Sequence, residues 1–60
     1  MIELYEMDEY GETIISRDYD KDVPNPRIDE KLVRCGISYI VMRITNDFDS
    51  NTKKVYIKRL

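Results

Sequence analysis

Apolar residues recur along the chain in short stretches, and turn-forming residues separate one stretch from the next. Isoleucine, valine and tyrosine dominate these stretches, whereas alanine, the best helix former, is absent. The alternation of apolar and polar positions predicts four strands, at 2–7, 13–19, 37–45 and 52–60. Gly11 suits a turn between the first two strands, and the polar segment 46–51 predicts a hairpin loop between the last two.

Residues 26–35 fit two different structures. As a helix, the segment would have Asn25 as its N-cap and Gly36 just past its end. As a strand, it would lead through a tight turn at Cys35 and Gly36 into the next strand. We expect the strand, because a helix of under about a dozen residues is marginal without packing.

Five short strands joined by turns predict an all-β fold, either a small, strongly bent five-stranded antiparallel sheet or a barrel. A short helix over 26–35 would make the fold α+β instead. The 60 residues form a single domain, 1–60. A chain of this length buries only about 60% of its unfolded surface, so it usually needs support from disulfides, metal ions or association.

The strand predicted at 37–45 is apolar on both faces. Three side chains point one way and three the other, namely Ile37, Tyr39 and Val41 against Ile40, Met42 and Ile44. An all-β chain of this size has one interior, and each large apolar side chain left exposed forgoes about 1.5–3 kcal/mol. We therefore expect self-association, most simply a two-fold dimer, through the second set of three. A helix over 26–35 could cover the same face in a monomer.

The two halves of the chain carry opposite charge, although the net charge is only −2. Residues 1–30 contain ten acidic and three basic residues, and residues 31–60 contain two acidic and seven basic residues. Strands that pair across the fold would neutralise the two halves. Separate faces of opposite sign would instead suit a basic partner or a phosphate.

The last strand carries four bases around one aromatic ring, namely Lys53, Lys54, Lys58 and Arg59 with Tyr56. Small five-stranded barrels bind single-stranded nucleic acid with such combinations, which gives an alternative function, a small nucleic-acid-binding β-barrel. Lysines also protect an ordinary edge strand from aggregation. The overall acidity argues against a large phosphate-binding surface.

The chain lacks the residues on which most catalytic sites depend. It has no histidine, and therefore no Ser-His or Cys-His pair and no imidazole ligand for a metal. No glycine-rich phosphate loop accompanies the many carboxylates. A domain of this size also has little room for a pocket of several hundred Å3. We expect no enzymatic activity, no catalytic residue and no cofactor.

Cys35 is the single cysteine, so the chain forms no internal disulfide, which fits a reducing compartment. No apolar run approaches the roughly 20 residues of a transmembrane helix. The acidic start of the chain lacks the basic segment of a secretion signal. We therefore expect a cytoplasmic protein without membrane association.

Asp18, Asp20 and Asp22 stand at alternate positions, as at the start of a calcium-binding loop. Such a loop also requires glycine at its sixth position and a bidentate acid at its twelfth, and Val23 and Asp29 occupy those positions here. Valine does not readily adopt the sharp turn, and aspartate is one methylene shorter than the usual glutamate. The segment is therefore expected to be a solvated loop without a metal.

The segment VPNPRIDEKLVRCGISYIVMRITNDFDSNTKKVYI, residues 23–57, combines several features in order. A proline-containing entry, a strand, a glycine-centred turn, a tyrosine-containing strand, a polar loop and a final strand follow one another. In this order it resembles the small SH3-like β-barrel proteins common in bacteriophage and prophage genomes. It departs from them at Asp29, where such proteins often have glycine, and in the inserted Asn25-Pro26. The resemblance implies an SH3-like barrel and a phage setting, and it carries over no functional residue.

Six aromatic rings exceed what so small a core can bury. Tyr10, Tyr19 and Phe48 stand beside acidic residues in or next to predicted loops. Aromatic residues are enriched in the cores of protein interfaces. We therefore expect a non-enzymatic protein-binding module with these three residues at its partner-binding surface. The phage resemblance implies that the chain inhibits a protein of a bacterial host, such as a component of antiviral defence.

We predict that millimolar calcium leaves the melting temperature unchanged, because a site that binds only the native state would raise it. The measurement is a thermal melt followed by circular dichroism, with and without calcium. A rise that disappears in the variant Asp20→Asn would contradict the prediction and assign a metal to residues 17–26.

Overall fold

A computed structural model describes residues 1–17 and 26–60. These residues form five strands: β1 (Ile2–Asp8), β2 (Gly11–Ser16), β3 (Lys31–Arg34), β4 (Ile37–Asp47) and β5 (Thr52–Arg59). The all-β prediction is confirmed, and the described residues contain no helix. The helix considered for 26–35 is therefore wrong, because residues 31–34 of that segment pair with β4 as a strand. The predicted loop that contains Asp18, Asp20 and Asp22 lies outside the described residues.

The five strands form one sheet in the order β2-β1-β5-β4-β3. Three neighbouring pairs are antiparallel, as predicted, but β1 runs parallel to β5 over Ile2–Glu6 and Lys53–Ile57. The purely antiparallel prediction is wrong for this pair. Parallel strands need a long connection between them, and here the rest of the chain supplies it. The β1–β2 hairpin and the β3–β4–β5 meander thus join edge to edge, through β1 and β5.

One face of the sheet, the inner face, carries the hydrophobic core. Its buried residues come from the three central strands, namely Leu4, Tyr39, Val41, Val55 and Ile57. The edge strands contribute Ile15 from β2 and Leu32 from β3, which pack against this cluster. A strongly bent sheet is required for both edges to reach the same core. An Arg34 guanidinium nitrogen donates a hydrogen bond to the Ile15 carbonyl oxygen at 3.2 Å, so one side chain bridges the two edges. Within the described residues, β2 and β3 are not paired, and the sheet is not closed into a barrel.

A bulge in β4 changes which side chains reach the core. Val41 and Arg43 pair with successive residues of β5, which leaves Met42 without a partner in the ladder. The alternation of side chains shifts by one position at such a bulge. Arg43 consequently joins Ile40 on the opposite, outer face, and Ile44 turns inward and packs against the core. The prediction that Ile44 shares a face with Ile40 and Met42 is wrong for this reason.

The β3–β4 connection is the tight turn predicted at Cys35 and Gly36. Both residues have positive φ, +54° for Cys35 and +76° for Gly36, as a type I′ turn requires. Its twist matches that of the two flanking strands, which explains its frequency in hairpins. Glycine suits the second position, whereas cysteine at the first bears the strain of the left-handed region.

A second strained residue precedes β3. The Glu30 N–H donates to the Arg27 carbonyl at 3.1 Å, which closes a four-residue turn. Asp29, the third residue of this turn, has φ +69°, the geometry of a type II turn that glycine usually fills. The Asp29 N–H then donates to the Val41 carbonyl at 2.9 Å, so the turn directs the chain into its pairing with β4. Aspartate thus adopts here a conformation that glycine adopts more easily.

We predict that Cys35→Asn stabilises the protein by about 1 kcal/mol, because asparagine tolerates the left-handed region better than most residues. For a domain of this size, that corresponds to a rise in melting temperature of about 4–8 °C. Cys35→Ala is the matched control, since it removes the thiol without supplying that tolerance. Equal melting temperatures for the alanine and asparagine variants would contradict the explanation by backbone strain.

Candidate protein-binding surfaces

The β4–β5 turn displays the Phe48 ring at one end of the sheet, where 91% of the residue is exposed. One carboxylate oxygen of Asp47 accepts hydrogen bonds from the backbone N–H groups of Asp49, at 3.1 Å, and Ser50, at 3.3 Å. Asn51 closes the turn with φ +54°, a conformation that asparagine tolerates well. The phenylalanine therefore lies in a turn whose backbone is fixed by hydrogen bonds.

The same turn is tied to the start of the chain. The Lys53 N–H donates to the Met1 carbonyl at 2.9 Å, and the terminal ammonium of Met1 lies 3.4 Å from the Asn51 carbonyl. Lys54 places its ammonium 3.6 Å from the second carboxylate oxygen of Asp47. These contacts hold the turn against β1 and β5, while the Phe48 ring projects into solvent.

Electrostatics favour the ionised form of Asp47. Its pKa is lowered from the ordinary 3.8, chiefly by the hydrogen bond from the Ser50 N–H. The Asp49 N–H and the Lys54 ammonium act in the same direction, and partial desolvation opposes them. The charged carboxylate is therefore the form that holds the turn together.

Tyr10 lies at the other end of the sheet, in the β1–β2 turn, and is 90% exposed. Its N–H donates to a carboxylate oxygen of Asp8 at 2.8 Å. Gly11 follows with φ +126°, which a residue with a side chain adopts only with strain. The turn borders an open groove of about 630 Å3 whose lining residues are Glu6, Met7, Asp8, Glu9, Tyr10, Met42, Lys58 and Arg59.

The structure separates two of the three aromatic residues predicted to bind a partner. Because β1 and β5 are parallel, the turn that follows β1 and the turn that precedes β5 lie at opposite ends of the sheet. Tyr10 is in the first turn and Phe48 in the second, so they form two surfaces rather than one. Tyr19 lies outside the described residues.

A stack of aromatic and charged side chains covers part of the outer face. The rings of Tyr5 and Tyr56 stack with centroids 5.2 Å apart, and the Arg43 guanidinium lies 4.2 Å from the Tyr56 centroid. Arg43 continues to Glu12 on β2, with a nitrogen–oxygen distance of 2.8 Å. The Tyr5 hydroxyl donates to a Glu3 carboxylate oxygen at 3.0 Å, and this hydrogen bond is the main cause of a raised Tyr5 pKa.

This stack bears on the nucleic-acid alternative. Tyr56 is only 8% exposed, so its ring offers little surface on which a base could stack. Two of the four bases of the last strand have carboxylate partners, Lys54 with Asp47 and Arg59 with Glu6 at 3.0 Å. Neutralised bases release fewer counterions on binding phosphate. The outer face therefore offers little for a nucleic acid to stack on or pair with.

Other candidate chemistry is sparse in the part of the chain that the structure describes. Cys35 is exposed, and its sulfur lies 3.9 Å from an Arg34 guanidinium nitrogen. In residues 1–17 and 26–60, no three His, Cys, Asp or Glu side chains are grouped as metal ligands. The same residues include no helix with the length and hydropathy needed to cross a membrane.

Comparisons with protein-family models, curated protein sequences and solved structures gave no match. The resemblance to SH3-like phage proteins stays a prediction. The candidate binding surfaces of the chain are therefore the two that contain Phe48 and Tyr10.

Sequence reasoning missed the groove beside Tyr10, and the expectation that so small a domain has little room for a pocket of several hundred Å3 is wrong. Met7 was assigned only to a strand, and Met42 was assigned to self-association, yet both line the groove. The Glu6–Arg59 ion pair at the same end was also not foreseen. The groove and the ion pair both depend on the parallel alignment of β1 with β5, and no local pattern in the chain indicates that alignment.

We predict that Asp47→Asn lowers stability at neutral pH and that the difference from the wild type closes in acid. The folded pKa of Asp47 is below its unfolded value, so the ionised group contributes stability above pH 3.8 that is lost as the pH falls through the folded pKa. Asparagine keeps the acceptor oxygen and removes only the charge. Melting temperatures of both proteins across the acid range test this, and a constant difference at every pH would contradict it.

Proposed function

We propose that the protein is a non-enzymatic protein-binding module that inserts Phe48 into an apolar pocket of another protein. The supporting observation is the ring itself, 91% exposed in a turn whose backbone is held by Asp47. An exposed ring adds almost nothing to the stability of the fold. Fold stability therefore does not explain a phenylalanine at this position, whereas contact with a partner would.

The energetics of binding favour such an arrangement. Burying a phenylalanine side chain is worth about 1.5–3 kcal/mol, and association loses part of that gain when flexible groups must be ordered. The hydrogen bonds from Asp49 and Ser50 to Asp47 order the turn before any partner arrives. Preorganisation therefore leaves more of the burial energy available for affinity.

The polar residues around the ring indicate the chemistry of the pocket. Asp49 is exposed beside Phe48, and Ser50 and Asn51 complete the apex of the turn. The complementary surface is an apolar pocket with a rim of hydrogen-bond donors or cations. Interface anchors usually sit in such pockets, inside a ring of polar contacts that excludes water.

The proposal extends to an inhibitor of a host protein, with antiviral defence as the setting. This extension is supported by the resemblance of residues 23–57 to phage proteins. An inhibitor of this size acts by occupying a surface, which requires a rigid anchor and no catalytic group. The cytoplasm of a bacterial cell is the proposed location.

We predict that Phe48→Ala weakens partner binding strongly without changing stability. Immobilised wild-type protein should retain, from a bacterial lysate, a protein that the variant does not retain. Once that protein is purified, calorimetry should show a loss of at least about 2 kcal/mol, or about thirtyfold in affinity, as for an anchor residue. The melting temperature should stay the same, because substitutions at exposed positions usually change stability by less than about 0.5 kcal/mol.

Ile28→Ala is the matched control, because Ile28 is an exposed apolar residue outside both the β4–β5 turn and the groove. The control should bind like the wild type. A captured protein that binds the wild type, the control and Phe48→Ala equally would show that the Phe48 surface is not the binding site.

A further inference from the structure

The groove beside Tyr10 is built where β1 and β5 end side by side. Met7 of β1 and Met42 of the β4 bulge both line it, and Met42 is 46% exposed. Tyr10 contributes an exposed ring from the adjoining turn. Methionine is flexible and polarisable, and with tyrosine it is enriched in protein interfaces. The centre of the groove is therefore suited to contact with another protein surface.

The charges around this centre are divided between two sides. The acidic side is the β1–β2 turn, with Asp8 and Glu9, and the basic side is the end of β5, with Lys58 and Arg59. Arg59 already pairs with Glu6. In the described part of the chain, Glu9 and Lys58 take part in none of the ion pairs. One carboxylate and one ammonium group are thus available on opposite sides of the groove.

We propose that the groove binds a second copy of the chain in a two-fold arrangement. In a two-fold interface both copies use the same surface. If one residue of the first copy contacts a second residue of the other copy, the reverse contact also forms, so every contact occurs twice. Turning one groove over the other places the acidic side of each copy against the basic side of its partner. Glu9 then meets Lys58 of the other copy in two equivalent pairs, and the apolar side chains meet between them. A surface with this charge division complements itself.

The dimensions of the molecule are sufficient for such an interface. The protein measures 30 × 28 × 18 Å, so its broad side has room for an interface at the low end of the size range, about 600 Å2 per partner, centred on the groove. Ile40 and Val33 extend the apolar surface along β4 and β3 on the outer face. Association through the groove would cover the part of this face that the tyrosine–arginine stack leaves open.

The inference goes beyond the Phe48 proposal and is independent of it. The groove and the Phe48 turn lie at opposite ends of the sheet, so a dimer formed through the groove leaves both phenylalanines free. Such a dimer would present two anchors to its target. Two linked anchors raise overall affinity wherever the target can engage both.

Two charge-reversal variants test the proposal, Glu9→Lys and Lys58→Glu. The wild type should sediment as a dimer at micromolar concentrations, with twice the 7.2 kDa mass of the chain. Each variant alone should be a monomer, because like charges then face each other twice. An equimolar mixture should form a heterodimer, because both pairs become opposite in charge. Native mass spectrometry with one variant isotopically labelled distinguishes the heterodimer from either homodimer.

The mixing experiment separates an intermolecular pair from an effect within one chain, because neither variant can restore its own groove. Arg27→Glu and Asp49→Lys are matched controls, since they reverse exposed charges outside the groove. Both should dimerise like the wild type, as should Phe48→Ala. A wild type that stays monomeric, a mixture that does not associate, or a dimer lost in Phe48→Ala would overturn the proposal. The first two results would leave the Phe48 function untouched.

Discussion

The parallel pairing of β1 with β5 is the contact on which the rest of the structure depends. It places Leu4 directly beside Val55, and both are fully buried. It also joins the β1–β2 hairpin to the three-stranded meander. Neither unit could bury its apolar face alone, because an isolated hairpin is only marginally stable in water and a single small sheet leaves its apolar face in contact with solvent. Without this contact the chain would be two separate pieces with their inner faces exposed.

The same pairing decides where the candidate binding residues lie. Parallel alignment brings the start of β1 to the start of β5, so the Phe48 turn gains support from Met1. It brings the end of β1 to the end of β5, so Met7 and Tyr10 meet Lys58 around a groove. A single long-range contact therefore produces two surfaces of different character, one a projecting ring and the other a charged depression.

Local features of the fold were predictable from the sequence, and long-range features were not. Alternation located four of the five strands, and the low stability of a short isolated helix favoured a strand for the fifth. The tight turn at Cys35 and Gly36 was also predicted, and both residues have the positive φ that a two-residue hairpin requires. The pairing of β1 with β5 left no local signal, because it joins residues at opposite ends of the chain. The bulge at Met42 was also hidden, since an uninterrupted alternation predicts that Ile44 points outward. For the site, exposure of Tyr10 and Phe48 was foreseen from their neighbours, but their separation depends on topology.

β4 was predicted to be apolar on both faces, but association is not needed to cover the whole of its outer face. The bulge places Arg43 where an apolar residue was expected, and its guanidinium lies over Tyr56. The stems and rings of such amphipathic side chains exclude water while their polar ends stay hydrated or paired, as Arg43 does with Glu12. What remains uncovered is the apolar surface of Met42, Ile40 and Val33, which extends from the groove along β4 and β3. The apolar area that association would have to bury is therefore smaller than the sequence suggested. It borders the groove, whose two sides carry opposite charge.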